Sequence, residues 1–436
     1  MNRPDLFTDE TKLFEDLTGM DALRAGFKAV KRNRGSPGVD GVSIEDFAIS
    51  LENELIQLRK ELLSWTYTSQ PVRRVEIPKP NGGVRLLGVP CVRDRVVQAS
   101  LKSLLEPILD PEFSDSSYGF RPYRDQKQAV RSAREIVASG KGYVVDIDLS
   151  KFFDRISHDR LIYRLGQKIP DKRILRLIGK TLRSGVMIGG NISPTEKGSV
   201  QGSPLSPLLS NVVLDELDKE LERRGLSFCR FADDCNIFVS SDKAAHRVMK
   251  SITRFIEEKL KLKVNQEKSQ VAPSKHVKFL GMTIVDQTIA ISKKSMQRAM
   301  DKVKELTPRG TRETLGKTIK RINQWYMGWA NYYSMTQYPS QLRKIEAHLR
   351  RRLRARFVDQ KKNRRNLLRT LIKHNVPKGL AVKTAYSNRK RWALSHTFAV
   401  ERAYPNKWFI ETLGLEIFSD SEQFHWYSLN TWIKLE

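Results

Sequence analysis

Cysteine is scarce in this chain. Cys91, Cys229 and Cys235 are odd in number and form no Cys-x-x-Cys pair, which argues against a disulfide framework and points to a reducing, cytoplasmic compartment. Long apolar runs are absent as well. No stretch approaches the roughly 20 residues that cross a bilayer, so no membrane partner is expected. The start, Met1-Asn-Arg-Pro-Asp-Leu-Phe7, lacks the apolar segment and small-residue cleavage site of a secretion signal. Internal repeats and low-complexity linkers are missing too. The last shortage is of acid: 49 Asp and Glu stand against 78 Lys and Arg, a formal charge of +29 over 436 residues.

The basic excess is concentrated. Residues 293–391 hold 28 Lys/Arg and 5 Asp/Glu, a net of +23 in under a quarter of the chain. A polyanion is the natural partner of such a segment. A solvated basic surface or a lipid-facing helix would use the same letters. Aromatics alternate with the basic residues, however, and no amphipathic anchor is present, which favours nucleic acid.

Hydrophobic periodicity lays out the elements. It predicts helices over 9–31 and 44–63, the second capped at Ser43, with a Gly/Pro loop at 34–41 between them. Alternation predicts a basic two-stranded ribbon, 72–78 and 84–88, around the turn Lys79-Pro-Asn-Gly-Gly83. Helices are expected over 92–107 and up to about 138, then a buried strand over 142–147. Ser206, followed by Pro207, reads as the cap of a helix reaching about residue 224. A hairpin around Phe231-Ala-Asp-Asp234, a helix over 243–260 and a strand over 277–284 complete this half. Beyond residue 290 basic helices take over. Ile319, Ile322, Trp325, Tyr326, Trp329, Tyr332 and Tyr333 recur at helical spacing and read as the spine of a helical domain rather than as a base-stacking surface. The run Arg350-Arg-Arg-Leu-Arg-Ala-Arg356 is basic all round, so one face is expected to meet phosphate.

Asp148 and Asp233 each end an expected strand. If those strands are neighbours, two carboxylates meet, and like charges at short range need a cation. A hard divalent ion with oxygen ligands, Mg²⁺ in the first place, meets that need. Two such ions activate an attacking hydroxyl and stabilise leaving pyrophosphate in phosphoryl transfer. Taken alone, an Asp-Asp pair in a turn is ordinary turn chemistry, and Gln201-Gly-Ser-Pro204 is an ordinary start to a helix.

Taken in order, the motifs are specific. Val144-Val-Asp-Ile-Asp-Leu-Ser-Lys-Phe-Phe-Asp154, Gln201-Gly-Ser-Pro-Leu-Ser-Pro-Leu-Leu-Ser-Asn211, Phe231-Ala-Asp-Asp234 and Phe279-Leu-Gly281 together resemble the polymerase motifs of group II intron-encoded reverse transcriptases. Upstream, Gly35-Ser-Pro-Gly-Val-Asp-Gly41, Ile77-Pro-Lys-Pro-Asn-Gly-Gly-Val-Arg85 and Ser117-Tyr-Gly-Phe-Arg-Pro122 fit the same pattern. Downstream, Trp325 and Trp329-Ala-Asn-Tyr-Tyr333 resemble the maturase, or thumb, domain. The similarity runs from about residue 20 to 415.

The resemblance implies a fold and roles. The fold is α+β: a right-hand polymerase whose fingers and palm, with an antiparallel palm sheet packed on helices, precede an α-helical thumb. The domains would be 1–88 (N-terminal extension and fingers), 89–288 (fingers and palm), 289–392 (thumb, RNA-binding) and 393–436 (a DNA-binding-like tail). Asp148, Asp233 and Asp234 would be catalytic and hold two Mg²⁺ ions, with Mn²⁺ as a substitute. Lys79, Arg85, Arg121, Phe153, Gln201, Gly202 and Lys268 would surround the dNTP, Phe153 as the gate against a 2′-OH and Lys268 as general acid for pyrophosphate. Phe279, Leu280 and Gly281 would form the primer grip. Gly35, Ser36, Pro37 and Gly38, and Arg350, Arg351, Arg352, Arg354 and Arg356, would contact template or intron RNA.

Two departures stand out: Phe231 replaces the usual Tyr, and Val200 stands where Pro often precedes Gln-Gly. With no cysteine after Cys235, the Cys/His-rich endonuclease of many relatives is not expected. The partners implied are the intron RNA, an RNA template with a DNA primer, dNTP and target DNA, with a monomer or a dimer left open. A splicing factor with a relic polymerase site, and a reverse transcriptase recruited to host defence or DNA repair, are the alternatives.

Overall fold

The alternation of helix and strand becomes two units in the computed structural model, which describes residues 12–78, 84–188, 191–308 and 310–419. The first unit is Met1–Pro273 and the second Ser274–Glu436. The boundary falls at Pro273 rather than after residue 288. The segment containing Phe279-Leu-Gly281 thereby joins the helical unit, and residues 12–273 form one unit without a break at 88.

Strands β1 (Val72–Pro78), β2 (Val84–Val89), β3 (Tyr143–Ile147), β4 (Val186–Ile188), β5 (Asn191–Ser193), β6 (Ser227–Phe231), β7 (Asp234–Val239) and β8 (Gln270–Pro273) build two sheets in the first unit. The basic ribbon is real, but it is half of a four-stranded sheet in the order β2-β1-β4-β5. The turn at 79–83 lies outside the described residues. The other sheet, in the order β6-β7-β3-β8, is antiparallel throughout. Its centre is β3, where Val144, Val145 and Ile147 are buried, as β-branched residues are between neighbours on both sides.

Helices cover this sheet. Asp242–Glu258 buries Ala245, Ile252 and Ile256 against it and starts at Ser241, whose side chain accepts the Ala244 N–H. The two buried isoleucines contribute about 1.5–3 kcal/mol each. The Ser206–Arg223 helix lies beside β6. Ser206 does not cap it: Leu205 holds that position, and the Ser206 hydroxyl bonds to Ser199 and to the Val200 carbonyl, closing the Gln-Gly loop instead. The first expected helix is two, Lys12–Thr18 and Met20–Asn33, interrupted at Gly19. The second also divides, at Ser50, while Ser43 and Asp46 form a capping box.

The second unit opens with the hairpin β9 (Met282–Val285) and β10 (Thr288–Ile291). Phe279-Leu-Gly281, expected in a strand, forms a turn ahead of it. Helices follow, among them Lys293–Leu306, Leu315–Tyr332 and Pro339–Gln360. Ile319, Ile322, Tyr326 and Ala330 are the buried stripe of the second of these. Buried Glu346 ties the unit together: it accepts the Tyr326 hydroxyl at 2.6 Å, the Phe418 and Ser419 N–H groups, and the Ser419 hydroxyl. The described part of the expected tail, 393–419, therefore belongs to this core; the rest of it lies outside the described residues.

Candidate active site

The β6–β7 hairpin turns on two residues, Ala232 and Asp233. Ala232 has φ 58°, the left-handed region that a tight hairpin demands and that glycine usually supplies. An alanine there is strained by about 1 kcal/mol, so something must hold it. That something is Arg230, fully buried. Its guanidinium forms a fork with Asp218 (2.7 and 2.5 Å) and donates to Asn211 Oδ1 (3.0 Å), Ser117 Oγ (2.7 Å) and the Ala232 carbonyl (2.9 Å). Asn211 in turn donates to the Gly119 carbonyl at 2.9 Å. A Cβ on Gly119 would sit 2.2 Å from the Ala232 nitrogen, so only glycine lets the Ser117–Pro122 loop lie under the turn.

Register brings the acids together. Ile147 pairs with Cys235, which sets Asp148 at the same end of the sheet as the turn. Asp148 is held by its backbone: its N–H donates to Ser269 Oγ and its carbonyl accepts the Asn265 N–H. Lys268 places its ammonium 3.6 Å from Asp148 Oδ2. Asp233 can be reached by solvent, yet protein crowds it. Lost hydration and then the charge of Asp148 push its carboxyl above the ordinary range, while Arg85 and Arg230 oppose the rise. Asp148, Asp233, Lys268 and Arg85, drawn from four separate stretches of sequence, thus share one electrostatic site. Asp234 begins β7 beside them.

Other expected residues fare differently. Phe153 is half-buried and packs edge-on against Phe152 (5.2 Å), and its carbonyl accepts the Ser199 N–H. Gln201 lines a cleft of about 260 Å³ with Arg74, Asp154, Lys197 and Gly198. The Gly88 N–H donates to the Gln201 carbonyl, which ties β2 to the loop carrying Gln201 and Gly202. Arg121 is a correction. It is buried and donates to Asp110 and to the Ser114 and Ser117 carbonyls, so its guanidinium braces the loop and leaves no fork for a triphosphate. Lys79 lies outside the described residues. In the N-terminal loop, Gly35 and Ser36 are exposed and Pro37 half-buried, the Ser36 carbonyl accepts from Arg95, and Gly38 is buried against Cys91.

The arginine run is corrected at two positions, Arg354 and Arg356, while Arg350, Arg351 and Arg352 stay partly exposed. Arg354 is buried on the Tyr404 carbonyl and Asn406, and Arg356 on Thr318 and the Glu313 carbonyl. Arg352 donates to Thr307, and Arg351 stacks on Trp392 at 4.3 Å. Arg350 is half-buried. Arg352, Arg354 and Arg356 tie segments together, each guanidinium donating to one backbone carbonyl and one side-chain oxygen. Arg230, Asp218 and Asn211 escape a reading of the sequence. The available signal is one arginine inside the apolar run Phe228-Cys-Arg-Phe231.

Comparison with known proteins agrees with this geometry. Residues 77–284 match the family "Reverse transcriptase (RNA-dependent DNA polymerase)" and residues 296–373 the family "Group II intron, maturase-specific domain". Protein YkfC of Escherichia coli is 35% identical over 54% of this chain and 72% of its own length. The group II intron-encoded protein LtrA of Lactococcus lactis is 28% identical over 72% of this chain and 62% of its own. A 91 kDa protein in the cob intron of Schizosaccharomyces pombe is 34% identical over 51% of this chain, and the chain spans only 27% of it. With an acidic hairpin turn on an antiparallel sheet and a basic helical unit following it in sequence, the chain belongs to the group II intron-encoded reverse transcriptases, RNA-directed DNA polymerases that carry a maturase domain.

Proposed function

We propose that this chain extends a DNA primer on an RNA template with Mg²⁺ as the metal, and that its helical unit binds a group II intron RNA to assist splicing and retrohoming into target DNA. The observation that carries the first part is the meeting of Asp148 and Asp233 at one end of the sheet, with Arg85 and Lys268 beside them. Two oxygen-only side chains, one of them discouraged from ionising by lost hydration and then by the charge of the other, fit a hard cation. Substrate phosphates and water would complete the coordination of an ion held by these two carboxylates. Bound there, the metal supplies activation of the attacking hydroxyl and charge neutralisation at the phosphoryl group.

The chain's own residues do the rest. Asp148 and Asp233 hold the charge, and the buried Arg230 fork keeps Asp233 in place. Arg85 faces the incoming phosphates. Lys268, 3.6 Å from Asp148, is within reach to give a proton to departing pyrophosphate. Phe153 stands where a ribose 2′-OH would meet a ring. Primer extension on an RNA template with dNTP and Mg²⁺ tests this: wild type extends and Asp233→Ala does not. No extension by wild type, or full extension by the variant, overturns the reading. Phe153→Ala is expected to admit ribonucleotides, and unchanged sugar discrimination removes its gate role. RNA affinity of the basic unit should fall by about three orders of magnitude between 50 and 200 mM salt if six or more phosphates are neutralised.

A further inference from the structure

The Leu315–Tyr332 helix carries more aromatic surface than its core needs. Tyr326 packs inward with Ile319, Ile322 and Ala330, while Trp325, Trp329 and Tyr332, with Tyr333 just beyond the helix end, stay half-buried on the neighbouring face. Their rings form a ladder. Trp325 stacks on Trp329 at 6.1 Å and 30°, Trp329 meets Tyr333 at 4.8 Å, and Tyr333 meets Tyr332 edge-on at 4.8 Å. Together they line a groove of about 470 Å³ that Lys278, Arg298 and Lys302 also line. Among the described residues, no Asp or Glu lines it.

The end of the groove is fixed. The Tyr332 hydroxyl donates to the Leu280 carbonyl at 2.9 Å, and Leu280 has φ 49°. Gly281, at φ 83°, leaves room for Tyr333: a Cβ there would lie 2.6 Å from the Tyr333 oxygen. The Gly281 carbonyl accepts from Ser292 and Ser295. A pre-formed, concave site of this size that joins flat apolar faces to cations suits a small planar anion.

We propose that this groove binds an unpaired ribonucleotide of an RNA strand, the base stacking on the Trp325–Trp329 ladder and the adjoining phosphates held by Arg298 and Lys302. Aromatic faces take bases of any sequence, and the cations track the backbone. A duplex is a poor fit because its base faces are already stacked. A lipid headgroup offers no flat aromatic face to stack. RNA is the occupant because Arg298, Lys302 and the four rings lie in the stretch that matches the maturase-specific domain and in the +23 segment, while Lys278, Leu280 and Gly281 precede both. Lys302 also reaches Glu305 at an exposed site, and such a pair is weak enough to open for a phosphate. The proposal rests on the reading of this unit as RNA-binding.

The test titrates the full chain with a short unstructured oligoribonucleotide, its DNA counterpart and an RNA duplex, followed by anisotropy and by tryptophan quenching. Trp325→Leu should weaken single-stranded RNA binding about five- to a hundredfold, the loss of one stacked base, and abolish part of the quenching, with duplex affinity unchanged. Trp325→Phe should restore most of the affinity. Arg298→Gln should lower the magnitude of the salt slope by about 0.7, one phosphate contact on a single strand. Wild-type binding in both Trp325→Leu and Arg298→Gln overturns the groove alone. Equal losses for duplex and single strand, or a preference for the DNA strand, overturn it as well. A wild-type protein that binds no RNA in any form overturns both the groove and the RNA-binding reading. If Trp325→Leu fails to fold, Arg298→Gln and Trp325→Phe still separate these outcomes.

Discussion

Each unit buries a charged side chain at its centre, and the two are satisfied by opposite means. In the polymerase unit Arg230 is matched by a carboxylate, Asp218, in a two-point ion pair, and its remaining donors reach Asn211, Ser117 and the Ala232 carbonyl. In the maturase unit Glu346 meets neutral donors: the Tyr326 hydroxyl, two backbone N–H groups and the Ser419 hydroxyl. The first arrangement cancels charge beneath a turn that itself holds acids, Asp233 and Asp234. The second ties distant segments together with hydrogen bonds. Arg354 and Arg356, buried on carbonyl and side-chain oxygens, follow the second pattern.

The comparison is broken most strongly at Arg230. Arg230→Met leaves Asp218 charged and alone, a loss of about 3–5 kcal/mol, measured by urea unfolding. Pairing it with Asp218→Leu should recover much of that stability. It should not recover nucleotide addition, because the Ala232 carbonyl has still lost its donor. A double variant with wild-type extension would show the fork to be structural only.

Tyr326→Phe is the matching change in the other unit. It removes one donor from a buried carboxylate and should cost about 1–3 kcal/mol, read as a lower unfolding midpoint of the helical unit. A cost as large as that of Arg230→Met would erase the distinction between the two centres.

The smallest effect is expected at a third buried acid, Asp94, which accepts from the Tyr67 hydroxyl at 2.6 Å and the Gln70 N–H. Burial pushes its carboxyl up to about 6 from 3.8. A raised carboxyl pKa favours the folded state below about pH 4, and that advantage fades as pH rises through about 6; the charged form then depends on its donors. Tyr67→Phe should therefore destabilise by about 1 kcal/mol or more at about pH 8 and by less at about pH 5. Equal losses at both pH values would remove Asp94 from the account.

Much of the candidate active site is legible from local signals. Strand β3 is a β-branched run, and Asp148 directly follows it. The hairpin around Ala232-Asp233 shows itself as two apolar runs about a short polar turn. The helix breaks at Gly19 and Ser50 are hidden because the apolar periodicity continues across both. The Phe279-Leu-Gly281 turn resembles strand because its residues are apolar; the left-handed backbone at Leu280 and Gly281 comes from the packing of Tyr332 and Tyr333. The aromatic stripe reads wholly as core, since helical spacing alone does not say which of two adjacent faces meets a neighbour.

The sequence by itself determined the charge, the motif order and the residue types that a metal and a polyanion require. Those are local chemistry and one-dimensional order. Only the tertiary structure decided where the arginines point. Arg85 lies close enough for its charge to act on Asp233, while Arg121, Arg354 and Arg356 turn inward to carbonyls. A guanidinium is equally suited to a phosphate or to a buried oxygen, and which it meets depends on the segments that folding brings beside it.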